Sequence, residues 1–118
     1  MKALVAAVAA VAVLAACGGG VAQPAGSIKV TLTEFQFAPA SITAPSGKVV
    51  FYLVNSGTTA HNMIIRDSSN HRLSSSALVS AGDASIFTVD NLAAGAYTIF
   101  CDQQGHEASG MKGTLTIT

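Results

Sequence analysis

The residues of this chain that are best suited to chemistry lie in one short segment near its C-terminus. Cys101, His106 and Met111 follow a C-x4-H-x4-M spacing, and His61 lies upstream of them. A thiolate, two imidazoles and a weak axial thioether form the ligand set of a blue-copper electron-transfer site. The two sulfur ligands are soft and suit Cu(I), whereas imidazole suits copper more generally. These four residues therefore predict a binding site for one copper ion.

Strand alternation predicts that both sulfur atoms point into the protein core. Ile99 has the same parity as Cys101, and Leu115 has the same parity as Met111. Side chains two positions apart on a strand lie on the same face of the sheet, so each sulfur shares a face with apolar residues. We therefore expect the two sulfur atoms at one end of a β-sandwich.

The elements that must position these ligands are predicted to be short β-strands. The strand candidates are 28–32, 49–54, 62–66, 84–89, 96–101 and 113–117. Residues 49–54 are apolar on both parities, which predicts a strand covered on both faces. A change of parity near Thr33 and Glu34 predicts a β-bulge or bend. The polar segment 67–76 is expected to be an exposed loop, with His71 as an ordinary surface residue. Short strands at this spacing predict an all-β sandwich or barrel.

The N-terminal residues predict export and attachment to a membrane. Residues 3–16 are an apolar run, shorter than the roughly 20 residues that span a bilayer, and match a secretory signal. The sequence Leu14-Ala15-Ala16-Cys17 resembles the lipobox of bacterial lipoproteins, which implies cleavage before Cys17 and a lipid on its sulfur. This lipid is a diacylglycerol, whose two acyl chains are enough for stable anchoring in the membrane. A disulfide between Cys17 and Cys101 is the alternative.

The chain is thus expected to have three parts. Residues 1–16 are a lipoprotein signal peptide, residues 17–27 the lipidated cysteine and a flexible Gly-rich tether, and residues 28–118 one domain. Removal of Lys2 with the signal leaves 6 − 1 = 5 basic residues against 6 acidic ones. This balance argues against nucleic-acid binding, which needs a basic patch. We expect a monomer on the extracytoplasmic side, in the periplasm or on the outer face of the cytoplasmic membrane.

Two parts of the sequence resemble a plastocyanin/azurin-type cupredoxin. Residues 35–39, 42–47 and 49–55, followed by His61 and Asn62, resemble its N-terminal half, and residues 97–117 resemble its C-terminal half. The ligand spacing is similar to that of auracyanin-like members. The resemblance implies a Greek-key β-sandwich of about eight strands. It also implies a copper ion held by His61, Cys101 and His106, with Met111 as the axial ligand.

The resemblance further assigns roles to residues around the ligands. Asn62 is expected to tie the two ligand-bearing segments together and to shield the Cys101 sulfur. His106 is expected to reach the surface through an apolar patch and to transfer the electron. Many relatives have proline between the cysteine and the second histidine, where this chain has Gln103 and Gln104. Two alternatives stay open for Gln104: a hydrogen bond toward the sulfur, or a looser loop.

The predicted function is electron transfer between extracytoplasmic redox proteins, a donor and an acceptor that are membrane-bound, with no enzymatic reaction. An enzyme with a second copper centre would need more than the three histidines in this chain. A copper carrier or sensor is the principal alternative, although only Met63 and Met111 remain after signal removal, too few for a Met-rich delivery surface. A lipid-anchored β-sandwich without metal would leave the Cys-His-Met cluster unexplained.

Overall fold

The computed structural model describes residues 21–118; the predicted signal peptide and Cys17 lie outside the described residues. The described part contains nine strands and no helix. The strands are β1 Ile28–Thr33, β2 Gln36–Ala38, β3 Ser41–Ala44, β4 Gly47–Asn55, β5 Ile64–Arg66, β6 Arg72–Ser75, β7 Ala84–Leu92, β8 Gly95–Phe100 and β9 Lys112–Ile117. Within residues 21–118, therefore, no helix could cross a membrane.

The strands form two sheets that enclose one core. One sheet has the order β2-β1-β4-β7 and the other the order β3-β9-β8-β5-β6. β1 pairs with β4, and β3 with β9, in parallel, whereas the other neighbours are antiparallel. Buried side chains of both sheets belong to a single hydrophobic cluster, which includes Val30, Leu32, Phe51, Leu53, Phe87, Ile65, Ile99, Leu115 and Ile117. The predicted all-β sandwich is confirmed, with nine strands instead of about eight.

The β4 strand is fully covered on one face and partly covered on the other. Its buried residues are Val49, Phe51, Leu53 and Asn55, whereas Val50, Tyr52 and Val54 between them are only half-buried. The expectation of two covered faces therefore holds fully for one face and only in part for the other. The outer face contacts part of the predicted tether, because the Tyr52 hydroxyl donates a hydrogen bond of 2.6 Å to the Val21 carbonyl.

Two local predictions were wrong. The change of parity near Thr33 is not a bulge or a bend within one strand. Glu34 and Phe35 form a turn that reverses the chain, so that β2 pairs antiparallel with β1 and Leu32 lies opposite Phe37. The segment 67–76 is not wholly a loop, because β6 within it pairs with β5 at the edge of the sheet. This strand has no buried residue, so the sequence lacks the apolar alternation that would have predicted it.

The pairing of β8 brings the predicted ligands to one end of the molecule. β8 is antiparallel to both of its neighbours, with Phe100 opposite Ile64 of β5 and opposite Lys112 of β9. The C-terminal end of β8 therefore lies beside the start of β5 and the start of β9. Cys101 directly follows β8 and Met111 directly precedes β9, while His61 precedes β5. The pairing of these strands thus places all three chain segments at the same end of the sheet.

Candidate metal centre

His61 is fixed in the interior by its backbone. Its side chain is fully buried. The His61 amide donates to the Val79 carbonyl at 3.1 Å, and the Val79 amide donates to the His61 carbonyl at 2.8 Å. The Asn55 side-chain amide donates a further bond of 2.8 Å to the same Val79 carbonyl. Because its backbone is held in this way, the His61 side chain needs little rearrangement to bind a metal ion.

His61, Cys101 and His106 present ligand atoms that all lie within 4.8 Å of one another. The Nδ1 atoms of the two histidines are 3.2 Å apart, and Cys101 Sγ is 3.5 Å from His106 Nδ1. A tetrahedral ion with zinc-like bonds of about 2.0–2.1 Å to nitrogen and about 2.3 Å to sulfur separates such ligands by about 3.3–3.6 Å. These two distances match the separation of ligand atoms that share one metal ion, and the third pair lies within 4.8 Å. Cys101 is a buried free cysteine, and thiolate with imidazole is a donor set suited to copper.

The loop from Cys101 to Met111 is tied closed by its own backbone. The Cys101 amide donates to the Met111 carbonyl at 3.2 Å, and the Met111 amide donates to the His106 carbonyl at 3.0 Å. Gly105 and Gly110 have φ values of 80° and 110°, which other residues rarely adopt. The Met111 side chain is fully buried and belongs to the same core cluster as Cys101. Met111 as the axial ligand stays a prediction.

Asn62 joins the two ligand-bearing segments through Asp102. Its side-chain amide donates to Asp102 Oδ1 at 2.6 Å, and the Asp102 backbone amide donates to Asn62 Oδ1 at 3.1 Å. The hydrogen bond from Asn62, assisted by the Arg72 guanidinium, lowers the pKa of Asp102. This reciprocal pair links the residue after His61 to the residue after Cys101. Within the described residues, neither the backbone amide nor the side chain of Gln104 makes a hydrogen bond to the sulfur, and the shielding role of Asn62 stays a prediction.

Two arginines hold the outer side of the ligand loop. Arg66 donates to both carboxylate oxygens of Glu107, at 3.1 and 2.7 Å, and Arg72 donates to Asp102 at 3.0 Å. Both guanidinium groups also lie over the Phe100 ring, with centroid distances of 4.3 and 5.3 Å. Isolated surface ion pairs contribute little, but this set connects strands β5 and β6 to the loop residues that directly follow Cys101 and His106.

Glu34 contacts the far side of the His61 ring. Its Oε1 is 3.1 Å from His61 Nε2 and also accepts hydrogen bonds from the Thr58 and Thr59 amides, both at 2.8 Å, and from the Thr59 hydroxyl at 2.9 Å. The Thr59 amide, with the Thr58 amide and the Thr59 hydroxyl, lowers the pKa of Glu34 to about 2. The carboxylate is therefore ionised at neutral pH and accepts a hydrogen bond from the imidazole.

The surface side of the site is formed by His106 and Phe35. His106 is half-buried, and the Phe35 ring meets its imidazole edge-on with a centroid distance of 4.9 Å. Phe35 is 39% exposed, which is high for a large apolar side chain. By contrast, His71 is exposed, lies 3.5 Å from Asp67, and does not belong to the cluster of ligand atoms.

Sequence reasoning missed Glu34 and Phe35 as site residues. Both lie in the β1–β2 turn, more than twenty residues from His61 and about seventy from His106, and no local motif marks them. The break in parity at Thr33 was the one signal at this position. This break marks a turn, not a distortion within a strand, and the turn brings Glu34 against His61 and Phe35 against His106.

An all-β sandwich with a buried cysteine and two histidines at one end defines a class of metal-binding domain, and comparison with known proteins identifies the family. The model of the cupredoxin-like domain matches residues 4–117. The chain therefore belongs to the cupredoxin family, whose members bind copper. No curated protein matches the sequence.

Several solved structures are similar in fold. Auracyanin B matches with 24% identity and a TM-score of 0.71, covering 83% of this chain and 92% of that one. Auracyanin A, a blue copper protein from the green thermophilic photosynthetic bacterium Chloroflexus aurantiacus, matches with 19% identity and a TM-score of 0.69, covering 85% and 100%. A copper-containing nitrite reductase from Thermus scotoductus matches with 16% identity and a TM-score of 0.59, covering 78% of this chain but 22% of the enzyme.

Proposed function

We propose that this protein is a membrane-anchored type 1 copper protein that carries single electrons between extracytoplasmic redox proteins. The observation that carries the proposal is the convergence of ligand atoms from His61, Cys101 and His106 within 4.8 Å of one another, at 3.2 and 3.5 Å for the two pairs that include His106. A bound copper ion would supply the Cu(I)/Cu(II) couple. Membership of the cupredoxin family and the fold shared with auracyanins support this choice of metal.

The surroundings of the ligands suit transfer of an electron better than transformation of a substrate. His61 and Cys101 are fully buried, so they can hold the ion but cannot meet a partner directly. His106 is half-buried beside the exposed Phe35, which gives one ligand a short route to the surface. We infer that a redox partner docks over these two residues. Only one cluster of metal-ligand type is found within residues 21–118, so the proposal includes no second copper centre and no enzymatic reaction.

Electron exchange between copies of the protein tests this function directly. The full chain with Cys17→Ser, in which Cys101 is the one remaining thiol, would be loaded with copper. Self-exchange between its Cu(I) and Cu(II) forms would then be measured by NMR line broadening. Because the chain is nearly neutral, we expect the rate to change less than about threefold between 0.01 and 1 M salt, over which the Debye length falls from about 30 to about 3 Å.

Copper delivery would give a different outcome in the same preparation. Transfer of copper to an excess Cu(I) chelator should be slower than electron self-exchange if the buried ligands retain the ion. If copper were lost faster than electrons were exchanged, the result would favour a copper carrier and contradict the proposed electron carrier. A steep dependence of self-exchange on salt would contradict the mainly apolar docking surface at His106.

The proposed membrane anchor is tested by mass spectrometry of the chain after expression in a bacterium. We expect the mature protein to begin at Cys17 and to carry the added mass of a diacylglycerol. The Cys17→Ser variant should keep residues 1–16 and lack the added mass, because its hydroxyl cannot replace the thiol that receives the lipid. Cys101→Ser is the matched control and should be processed like the wild type. An intact N-terminus with an unmodified Cys17 would show that the lipobox interpretation is wrong.

A further inference from the structure

We propose that Glu34 is a positioning residue for the copper site, which fixes the tautomer of His61 and favours Cu(II) over Cu(I) through its negative charge. This inference rests on the proposed copper-binding function. Its basis is the contact between a carboxylate oxygen in the β1–β2 turn and the ring nitrogen of His61 that faces away from the other ligands.

The contact determines which nitrogen of His61 is free to bind metal. A neutral imidazole has one N–H and one lone pair, and a carboxylate 3.1 Å from Nε2 accepts the proton on that nitrogen. Nδ1, which is 3.2 Å from His106 Nδ1, then directs its lone pair toward the other ligands. Hydrogen bonds of this kind orient ligand histidines in metal sites and raise their basicity.

Glu34 is itself held in place by the segment that leads to His61. The amides of Thr58 and Thr59 and the Thr59 hydroxyl bind the same oxygen, Oε1. The backbone at Gly57 also lies close to this carboxylate. A Cβ atom there would be only 2.5 Å from Oε1, so any residue other than glycine would displace Glu34. The carboxylate thus connects the turn of the first sheet to the segment that bears the ligand.

Within the described part of the chain, Glu34 forms no ion pair with a lysine or arginine side chain. Among residues 21–118 its ion-pair contact is with His61, while Arg66 and Arg72 pair with Glu107 and Asp102. A negative charge one hydrogen bond beyond a ligand stabilises the more positive oxidation state of the ion more than the less positive one. Glu34 therefore lowers the reduction potential relative to the same site with a neutral group at this position.

Glu34→Gln separates the charge from the hydrogen bonds. All four contacts of Glu34 fall on Oε1, and within the described residues none falls on Oε2. The glutamine carbonyl can therefore occupy the position of Oε1 and accept the same bonds. We expect the ratio of Cu(II) to Cu(I) affinity to fall about tenfold, which raises the potential of this one-electron couple by about 59 mV. Asp90→Asn removes the same charge from an exposed position on β7, near its pairing with the start of β4, and should leave the potential unchanged.

Voltammetry of the copper-loaded full chain gives the potential, and NMR of the metal-free chain gives the tautomer without copper. At mildly alkaline pH, 15N shifts should show His61 protonated on Nε2 in the wild type and in Glu34→Gln, and a mixture of tautomers in Glu34→Ala. A wild-type His61 protonated on Nδ1, or a Glu34→Gln potential equal to that of the wild type, would overturn this inference while the coloured copper complex persists. A wild type that forms no coloured complex would instead overturn the proposed function, and this inference with it.

Discussion

Replacing Cys101 by serine should abolish the intense red-region absorption that we expect from the copper-loaded protein. That absorption arises from charge transfer between a thiolate and Cu(II), and a serine hydroxyl cannot supply it. In the full chain with Cys17→Ser, Cys101 is the one thiol. It is fully buried and its Sγ lies 3.5 Å from His106 Nδ1. Because this chain then has no second thiol, no other thiolate can replace it. Loss of a direct ligand should weaken copper binding by more than the 10–100-fold that loss of an outer-shell partner causes.

The matched control changes the other sulfur residue of the site. Met111→Leu conserves volume in the core and retains the cysteine and both histidines, so the variant should stay coloured with a shifted potential. Visible absorption and competition with a chelator of known affinity measure both properties. A wild type that contains copper but is colourless, or a Cys101→Ser variant as strongly coloured as its parent, would exclude Cys101 as the copper ligand. Zinc in the site would also give a colourless protein, so the metal content must be measured in the same samples.

Replacing Gly113 by alanine should destabilise the fold by about 2–4 kcal/mol. Gly113 lies in β9, and a Cβ atom there would clash with the backbone carbonyl oxygen of Ala40 and approach Ile99 Cγ1 to 3.2 Å. The same carbonyl accepts a hydrogen bond of 2.8 Å from the Thr114 amide. Because the contact is with backbone, no side-chain rotation relieves it, and β9 must move away from the segment before β3. Chemical denaturation measures the loss as a lower midpoint.

Thr116→Val is the control for the Gly113 variant. Thr116 is exposed on the same strand, and valine keeps its β-branched shape, so the free energy of unfolding should change by less than about 0.5 kcal/mol. Met111 lies two residues before Gly113 and immediately precedes β9. We therefore expect the Gly113 variant, where it folds, also to hold copper less firmly. A denaturation midpoint equal to that of the wild type would show that the segment around Ala40 can move at little cost.

The sequence by itself determined the ligand types and most of the strands. Cys101, His106 and Met111 lie within eleven consecutive residues, so one short segment carries all three wherever it lies in the fold. The alternation of apolar residues in β1 and β9 is equally local, because one face of a strand must be buried for the sandwich to form. The all-β class and the inward direction of Cys101 followed from these local patterns.

Tertiary structure alone decided which residues surround the ligands. Glu34 contacts His61, and Asn62 binds Asp102, through hydrogen bonds that join residues 27 and 40 positions apart. The edge strand β6 exists because β5 lies beside it, although no apolar alternation marks it. Such contacts depend on the order of strands in each sheet and on a turn that reverses the chain at Glu34. The period of a strand specifies which face is buried, but it contains no information about which distant segment will lie against that face.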